Sequence, residues 1–240
     1  MSEAGAAVVF GANGAIGRAI AARLVASERF GRVFAASRGG TADLAGAVPL
    51  RFDLADESSI RAVVAAIDAP LELAFVASGM LHDEALGITP EKSWRAIDGQ
   101  AMAEVFAVNA IGPALIAKHC LPRFPRDRRA IFAALSARVG SIGDNRMGGW
   151  HAYRASKAAL NMLVRNFAIE LARSHPLAAA VTLHPGTVDS RLSAPFQRGV
   201  APEKLFSPDQ SAGCLLDVTE RLNPADSGGL FAWDGARLPD

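Results

Sequence analysis

Gly11-Ala12-Asn13-Gly14-Ala15-Ile16-Gly17 is the stretch whose reading decides the fold. It follows the apolar run Ala6-Phe10 and leads into Ile16, Ile20 and Leu24, which repeat at i, i+4, i+8 along one stripe of a helix that opens near Gly14 and closes before Gly31. Strand, tight turn and helix N-terminus together aim backbone N–H groups and the helix dipole at an anion, and the missing glycine Cβ atoms permit close approach. Glycines at this spacing are a weak signal alone; at a first strand-to-helix turn they point to a dinucleotide pyrophosphate. Gly11, Asn13, Gly14, Ala15, Ile16 and Gly17 are therefore the first candidate cofactor contacts.

Outward from this turn, short apolar runs recur at Arg32-Ala36, Val48-Phe52, Leu73-Ala77, Ala130-Leu135, Ala178-His184 and Leu230-Trp233, with helical patterns between most of them. Such alternation predicts a doubly wound parallel α/β sheet of about seven strands with helices on both faces. Leu160, Leu163, Val164, Phe167 and Leu171 keep a helical rhythm and predict a long helix over Ala152 to Arg173, stopped by His175-Pro176. No repeat or hydrophilic linker divides the 240 residues, so one domain, 1–240, is expected. The Gly/Pro/Ser-rich stretches Ser136 to Gly149 and Pro185 to Pro208 each follow a strand, where ligands bind in open α/β sheets.

Half the residues are hydrophobic and 20% charged, which supports a substantial core; Lys+Arg 25 against Asp+Glu 24 leaves +1, unlike a nucleic-acid binder. Cys120 and Cys214 are too few and too far apart for a disulfide framework or a CxxC site. The five histidines form no close ligand pattern, and Asp43, Asp53 and Asp189 are dispersed, so no metal is expected. Met1-Ser2-Glu3-Ala4 has no signal-peptide pattern and charged residues or glycine interrupt every apolar run, so a cytoplasmic chain without membrane association is expected.

The second strand ends in Ala35-Ala36-Ser37-Arg38, without a carboxylate where a dinucleotide fold holds the adenosine ribose. A carboxylate there would accept from the 2′-OH of NAD, whereas Arg38 is suited to charge-assisted bonds with a 2′-phosphate; NADP(H) is preferred and NAD(H) stays possible. Tyr153, the only tyrosine, and Lys157 stand at i, i+4 on the long helix and share a face. An ammonium near a phenol favours phenolate, which suits proton transfer at a carbonyl or hydroxyl oxygen.

The glycine-rich turn, Asn109 in Val108-Asn109-Ala110-Ile111-Gly112, Ser136, Tyr153-Arg154-Ala155-Ser156-Lys157 and His184-Pro185-Gly186 stand in an order that resembles the short-chain dehydrogenases/reductases over nearly the full length. Gly140-Ser141-Ile142, Gly148-Gly149-Trp150 and Phe231-Ala232-Trp233-Asp234-Gly235 look like its C-factor and sniffer-like carbonyl-reductase branch. The resemblance implies a Rossmann-type sheet, a nicotinamide cofactor and an Asn-Ser-Tyr-Lys group: Tyr153 as general acid/base, Lys157 lowering its pKa and binding the nicotinamide ribose, Ser136 bonding the substrate oxygen, and Asn109 holding a relay water. The usual serine spacing in the family falls on Gly140, so the serine is open: aligning forward along the strand gives Ser136, aligning back from Gly140 gives Ala137, and Ser141 is a further choice.

By the same resemblance Asp53 and Leu54 contact adenine, Ala77-Ser78-Gly79 pass beneath the cofactor in place of the usual Asn-rich segment, and Pro185, Gly186 and Val188 hold the nicotinamide carboxamide. Trp150, His151, Met147 and Phe196 are candidate substrate-mouth residues, and Ser190 to Phe206 reads as an apolar lid. The implied partners are a small carbonyl or alcohol substrate, with a medium-sized apolar carbonyl preferred, and further copies of the chain in a homodimer or homotetramer. Two functions compete: an NADP-dependent oxidoreductase, and a dinucleotide-binding signalling protein with little turnover.

Overall fold

The computed structural model describes residues 4–40 and 44–239; Met1, Ser2, Glu3 and Asp43 lie outside them. In chain order its strands are β1 (Ala6–Phe10), β2 (Arg32–Ser37), β3 (Ala47–Arg51), β4 (Leu71–Val76), β5 (Ala130–Leu135), β6 (Ala178–His184), β7 (Thr187–Val188), β8 (Leu205–Phe206), β9 (Leu230–Ala232) and β10 (Arg237–Leu238). The α-helices are α1 (Ala15–Ala26), α2 (Glu57–Ala65), α3 (Gly99–Phe106), α4 (Gly112–Cys120), α5 (His151–Ser174) and α6 (Pro208–Arg221).

The main sheet has the order β10-β9-β6-β5-β4-β1-β2-β3. Seven strands run parallel as the alternation predicts, and an eighth, β10, returns antiparallel on β9. β10 is two residues long, which left no periodicity to read. Side chains alternate across β1: Ala6, Val8 and Phe10 join Ile60 of α2, Ile116 of α4 and Leu160 of α5, whereas Ala7 and Val9 join Ile20 of α1 and Leu215 of α6. Both faces are thus covered, and fully burying Ile20 contributes about 1.5–3 kcal/mol.

The order reverses at β1, which has β2 on one side and β4 on the other, so a crevice opens beyond their carboxyl ends. β7 and β8 pair to close the base of the loop between them. α3 and α4 form one helical run through a widened π-turn, Ala107–Ile111, where the Gly112 N–H reaches back to the Ala107 carbonyl. A Cβ on Gly112 would lie 2.6 Å from Leu54 Cδ2, so a larger residue there would displace the Leu54 side chain. The run Gly99–Arg123 has the length and mean hydropathy (1.3) of a membrane span. Here Val105, Ala110, Ile116 and Ala117 are buried within the fold.

Candidate active site

At the carboxyl end of β1, Gly11 takes φ +86°, and a Cβ there would meet Ser78 N at 2.9 Å. A Cβ on Gly17 would lie 2.3 Å from the Gly11 carbonyl oxygen. These two glycines let the turn fold tightly between β1 and the segment after β4. Asn13, Gly14 and Ala15 are exposed on its rim, with Ile16 half-buried behind them. Gly14 caps α1 without a side-chain acceptor, and the first turn holds no acidic residue, so its N–H groups face the crevice beside no competing anion.

Ser37 Oγ, Ser78 Oγ and His184 Nδ1 are buried without a hydrogen-bond partner. Ser37 ends β2, Ser78 follows β4 and His184 ends β6, so all three stand at the sheet edge where the glycine turn lies. Burial lowers the His184 pKa to about 4, reinforced by Arg138, so it is neutral. Unsatisfied polar atoms at this edge, beside a tight glycine cradle, fit a polar ligand such as a dinucleotide. Arg38 and Gly79 are exposed, and Ala77 is half-buried. Asp53 is also exposed, its carboxylate accepting from the Ala55 N–H at 2.9 Å, while Asp56 caps α2. Leu54 rests on Gly112. Gly186 turns at φ +77° between Pro185 and β7, where its Cβ would strike the Phe206 ring at 2.8 Å. Val188 is buried in β7.

Tyr153, Ser156 and Lys157 are buried on α5. The Lys157 Nζ donates to the Leu135 carbonyl at 2.8 Å and lies 5.8 Å from the centre of the Tyr153 ring. Asn109 is fully buried; its Oδ1 accepts from the Met80 N–H at 2.8 Å, and its Nδ2 donates to the Met80 carbonyl (2.7 Å) and to Ser156 Oγ (3.0 Å). Ser156 Oγ in turn donates to the Tyr153 carbonyl at 2.8 Å. Asn109 therefore ties the segment after β4 to the tyrosine's own turn of helix, with both hydrogens of its side-chain amide engaged.

Burial raises the Tyr153 phenol to about 12 and lowers the Lys157 ammonium to about 7. The sequence spacing predicts a phenol drawn down by lysine; in this cavity desolvation outweighs that attraction and moves both groups toward their neutral forms.

The candidate serines stand in different surroundings. Ser136 continues β5, its N–H bonded to the Leu183 carbonyl, and its Oγ donates to Asn161 Oδ1 on α5 at 2.8 Å. Ala137, the next residue, packs with Leu81 and Tyr153. Successive residues of an extended chain face opposite ways, so at the tyrosine there is a methyl group rather than a hydroxyl. Ser141 is buried, and its Oγ accepts from the Asp144 N–H at 3.1 Å within the next turn.

Over Tyr153 lies an aromatic wall, with Trp150 at 6.2 Å from its ring, Phe196 at 5.1 Å from Trp150, and His82 at 5.7 Å from Phe196. Trp150 and Phe196 thus pack at the tyrosine, and Leu192 joins them from the loop between β7 and β8. Met147 is 89% exposed and stands outside this cluster; His151 opens α5. The sequence reading gave no role to Asn161, Glu91 or Arg154, whose Nε donates to the Gly149 carbonyl. Only their contacts across the fold single them out. Among the described residues no group of His, Cys, Asp and Glu could hold a metal ion.

The short chain dehydrogenase family matches residues 5–200. The chain is similar to the C-signal of Myxococcus xanthus, at 36% identity over 60% of this chain and 81% of that one. It is also similar to the 1-hydroxy-2-glutathionyl-2-methyl-3-butene dehydrogenase of a Rhodococcus species, at 29% identity over 96% and 97%. In structure it is similar to the NADPH-bound carbonyl reductase from chicken fatty liver, with TM-score 0.82, 25% identity and 100% of each chain covered. With most of its length matched, a doubly wound sheet, and a Tyr153-Lys157 pair buried at its carboxyl edge, this chain belongs to the short-chain dehydrogenase family of oxidoreductases.

Proposed function

We propose that the protein reduces a small carbonyl compound to the alcohol with NADPH. The observation that carries this reading is Tyr153, a buried phenol kept protonated beside Lys157 under an aromatic wall, in the state required to give a proton to a carbonyl oxygen. The similarity to an NADPH-bound carbonyl reductase supports the same direction.

In this reading Gly11, Asn13, Gly14, Ala15, Ile16 and Gly17 hold the pyrophosphate against the α1 N-terminus. Ser37 and Arg38 take the 2′-phosphate, and Asp53 and Leu54 border the adenine. Ala77, Ser78 and Gly79 line the floor, while Pro185, Gly186 and Val188 hold the nicotinamide end. The bound nicotinamide supplies hydride; every other task belongs to the chain. Tyr153 donates the proton. Lys157 binds the ribose, whose hydroxyls would join the Leu135 carbonyl in holding its ammonium charged beside the phenol. Asn109 fixes the Tyr153 turn through Ser156, and Ser136 braces β5 on α5 through Asn161.

Arg38→Asp tests the cofactor assignment. NADPH affinity is expected to fall about 10–100-fold, the loss of a charge-assisted phosphate contact, with NADH affinity little changed. Equal effects on the two cofactors in fluorescence titrations would reject the role.

Ala137 favours a second reading, a dinucleotide-binding regulator with slow turnover, because its methyl group leaves a substrate oxygen with one donor, Tyr153. Ala137→Ser separates the two. A reductase short of one hydrogen-bond donor gains about 10–100-fold in kcat/KM, since a donor aimed at developing oxygen charge carries a factor of this order or more. No gain would mean that the site is not arranged for turnover.

A further inference from the structure

The helix that carries Tyr153 and Lys157 starts without a capping side chain of its own. Its N-cap, Trp150, sits at φ 50° and ψ 45°, and the two preceding residues, Gly148 and Gly149, have φ of 63° and 67°. Glycine adopts this left-handed region freely; tryptophan does not, so something must hold the turn in place. That holding comes from Glu91, in the loop between β4 and α3. Its main-chain carbonyl accepts from the Trp150 N–H at 2.6 Å, and its carboxylate oxygens accept from the Ala152 N–H at 3.2 and 3.3 Å. Gly149 passes so close that a Cβ there would lie 3.4 Å from the Glu91 carbonyl oxygen.

Glu91 is 7% exposed, an unusual setting for a carboxylate that has no cationic partner among the described salt bridges. The positive end of the dipole of α5, an unbroken α-helix of 24 residues, offsets its charge. Beside it is a cavity of about 120 Å³ bordered by Ile88, Thr89, Asp98, Ala152 and Tyr153. The carboxylate and the tyrosine thus share one cavity wall, and Ala152, whose N–H the carboxylate holds, immediately precedes Tyr153 in sequence.

We infer that Glu91 is a positioning residue for Tyr153: from a distant loop it supplies the N-cap that α5 lacks and so fixes where the phenol meets a substrate oxygen. This rests on the reading of Tyr153 as the proton donor. Capping requires an acceptor oxygen at the right reach. Glu91→Gln keeps that oxygen, Glu91→Asp pulls it back by a methylene, and Glu91→Ala removes it; the adjoining cavity gives water room to enter in the last case.

The test is kcat for carbonyl reduction per NADPH-binding site, with NADPH affinity and Tm measured on the same preparations and Tyr153→Phe alongside. Glu91→Ala and Glu91→Asp are expected to lower kcat about 10–100-fold, the range that follows from misplacing a reacting group by about an ångström, with NADPH affinity retained. Glu91→Gln is expected to stay near wild type. If the alanine variant does not fold, the Asp and Gln pair carries the comparison. Wild-type kcat in Glu91→Asp, a kcat loss that follows NADPH affinity and Tm down together, or a Gln variant as impaired as Asp would each overturn the inference. Full activity in Tyr153→Phe would instead remove the reading of Tyr153 on which it rests.

Discussion

Tyr153→Phe is expected to lower carbonyl reduction by about 10²–10⁴-fold while NADPH still binds. The substitution keeps the ring, and with it the contacts to Trp150, Leu81 and Ala137, and removes only the hydroxyl. No other described phenol or thiol lies in that cluster to replace it. Lys157, 5.8 Å from the ring centre, points its Nζ at the Leu135 carbonyl. Steady-state turnover and NADPH titration on the same protein separate loss of the proton from loss of the cofactor. Turnover within a few fold of wild type, with binding intact, would mean that the proton comes from elsewhere.

The second large effect is expected at Gly17. An alanine Cβ would sit 2.3 Å from the Gly11 oxygen and 2.9 Å from its carbonyl carbon, both main-chain atoms that cannot swing aside as a side chain can. Relief requires the glycine turn to move away from α1, which both strains the fold and opens the cradle proposed for the pyrophosphate. Overpacking of this kind costs about 1–3 kcal/mol, equivalent to about a 5–150-fold loss where the same turn forms a binding surface. Gly17→Ala is therefore expected to lower both Tm and NADPH affinity by thermal melts and titration. Gly99→Ala is the control: an added Cβ meets nothing within 4 Å, so both quantities are expected to stay unchanged. Equal behaviour of the two variants would contradict the packing described for the turn.

Much of this fold was legible because the physics that forms it is local. β1, β5 and β6 have the bounds that their apolar runs predict, and α1 begins beside Gly14 because a glycine turn and an i, i+4 stripe meet there. What escaped was short or distant. β7, β8 and β10 are two residues each and exist through pairing partners, without a pattern of their own. The π-turn at Asn109 accompanies Pro113, which has no N–H for the ladder, and nothing local in the sequence reveals the clamp on Met80.

The candidate site divides in the same way. Tyr153, Lys157 and the glycine turn are read from spacing within one element. The serine depended on a single step of register at the end of β5, where a one-residue shift exchanges the face toward Asn161 for the face toward Tyr153. Composition and motif order do not reveal which way such a residue faces; the strand's alternation in three dimensions does. The pKa of Tyr153 is a further case, since i, i+4 spacing shows the lysine but not the desolvation that outweighs it. Glu91 is invisible from sequence for a plainer reason: its carboxylate meets a helix terminus 61 residues away.

The function proposed for the protein is NADPH-dependent carbonyl reduction with Tyr153 as the proton donor. Its most direct measurement is a fluorescence titration of the purified protein with NADPH and with NADH, followed by addition of aromatic and aliphatic ketones and aldehydes while NADPH oxidation is monitored. Saturable binding that favours NADPH, with oxidation that requires both a carbonyl compound and the Tyr153 hydroxyl, is the predicted result. Absence of NADPH binding would contradict the reading of Gly11 to Gly17, and binding without oxidation of NADPH by any carbonyl would contradict the reductase.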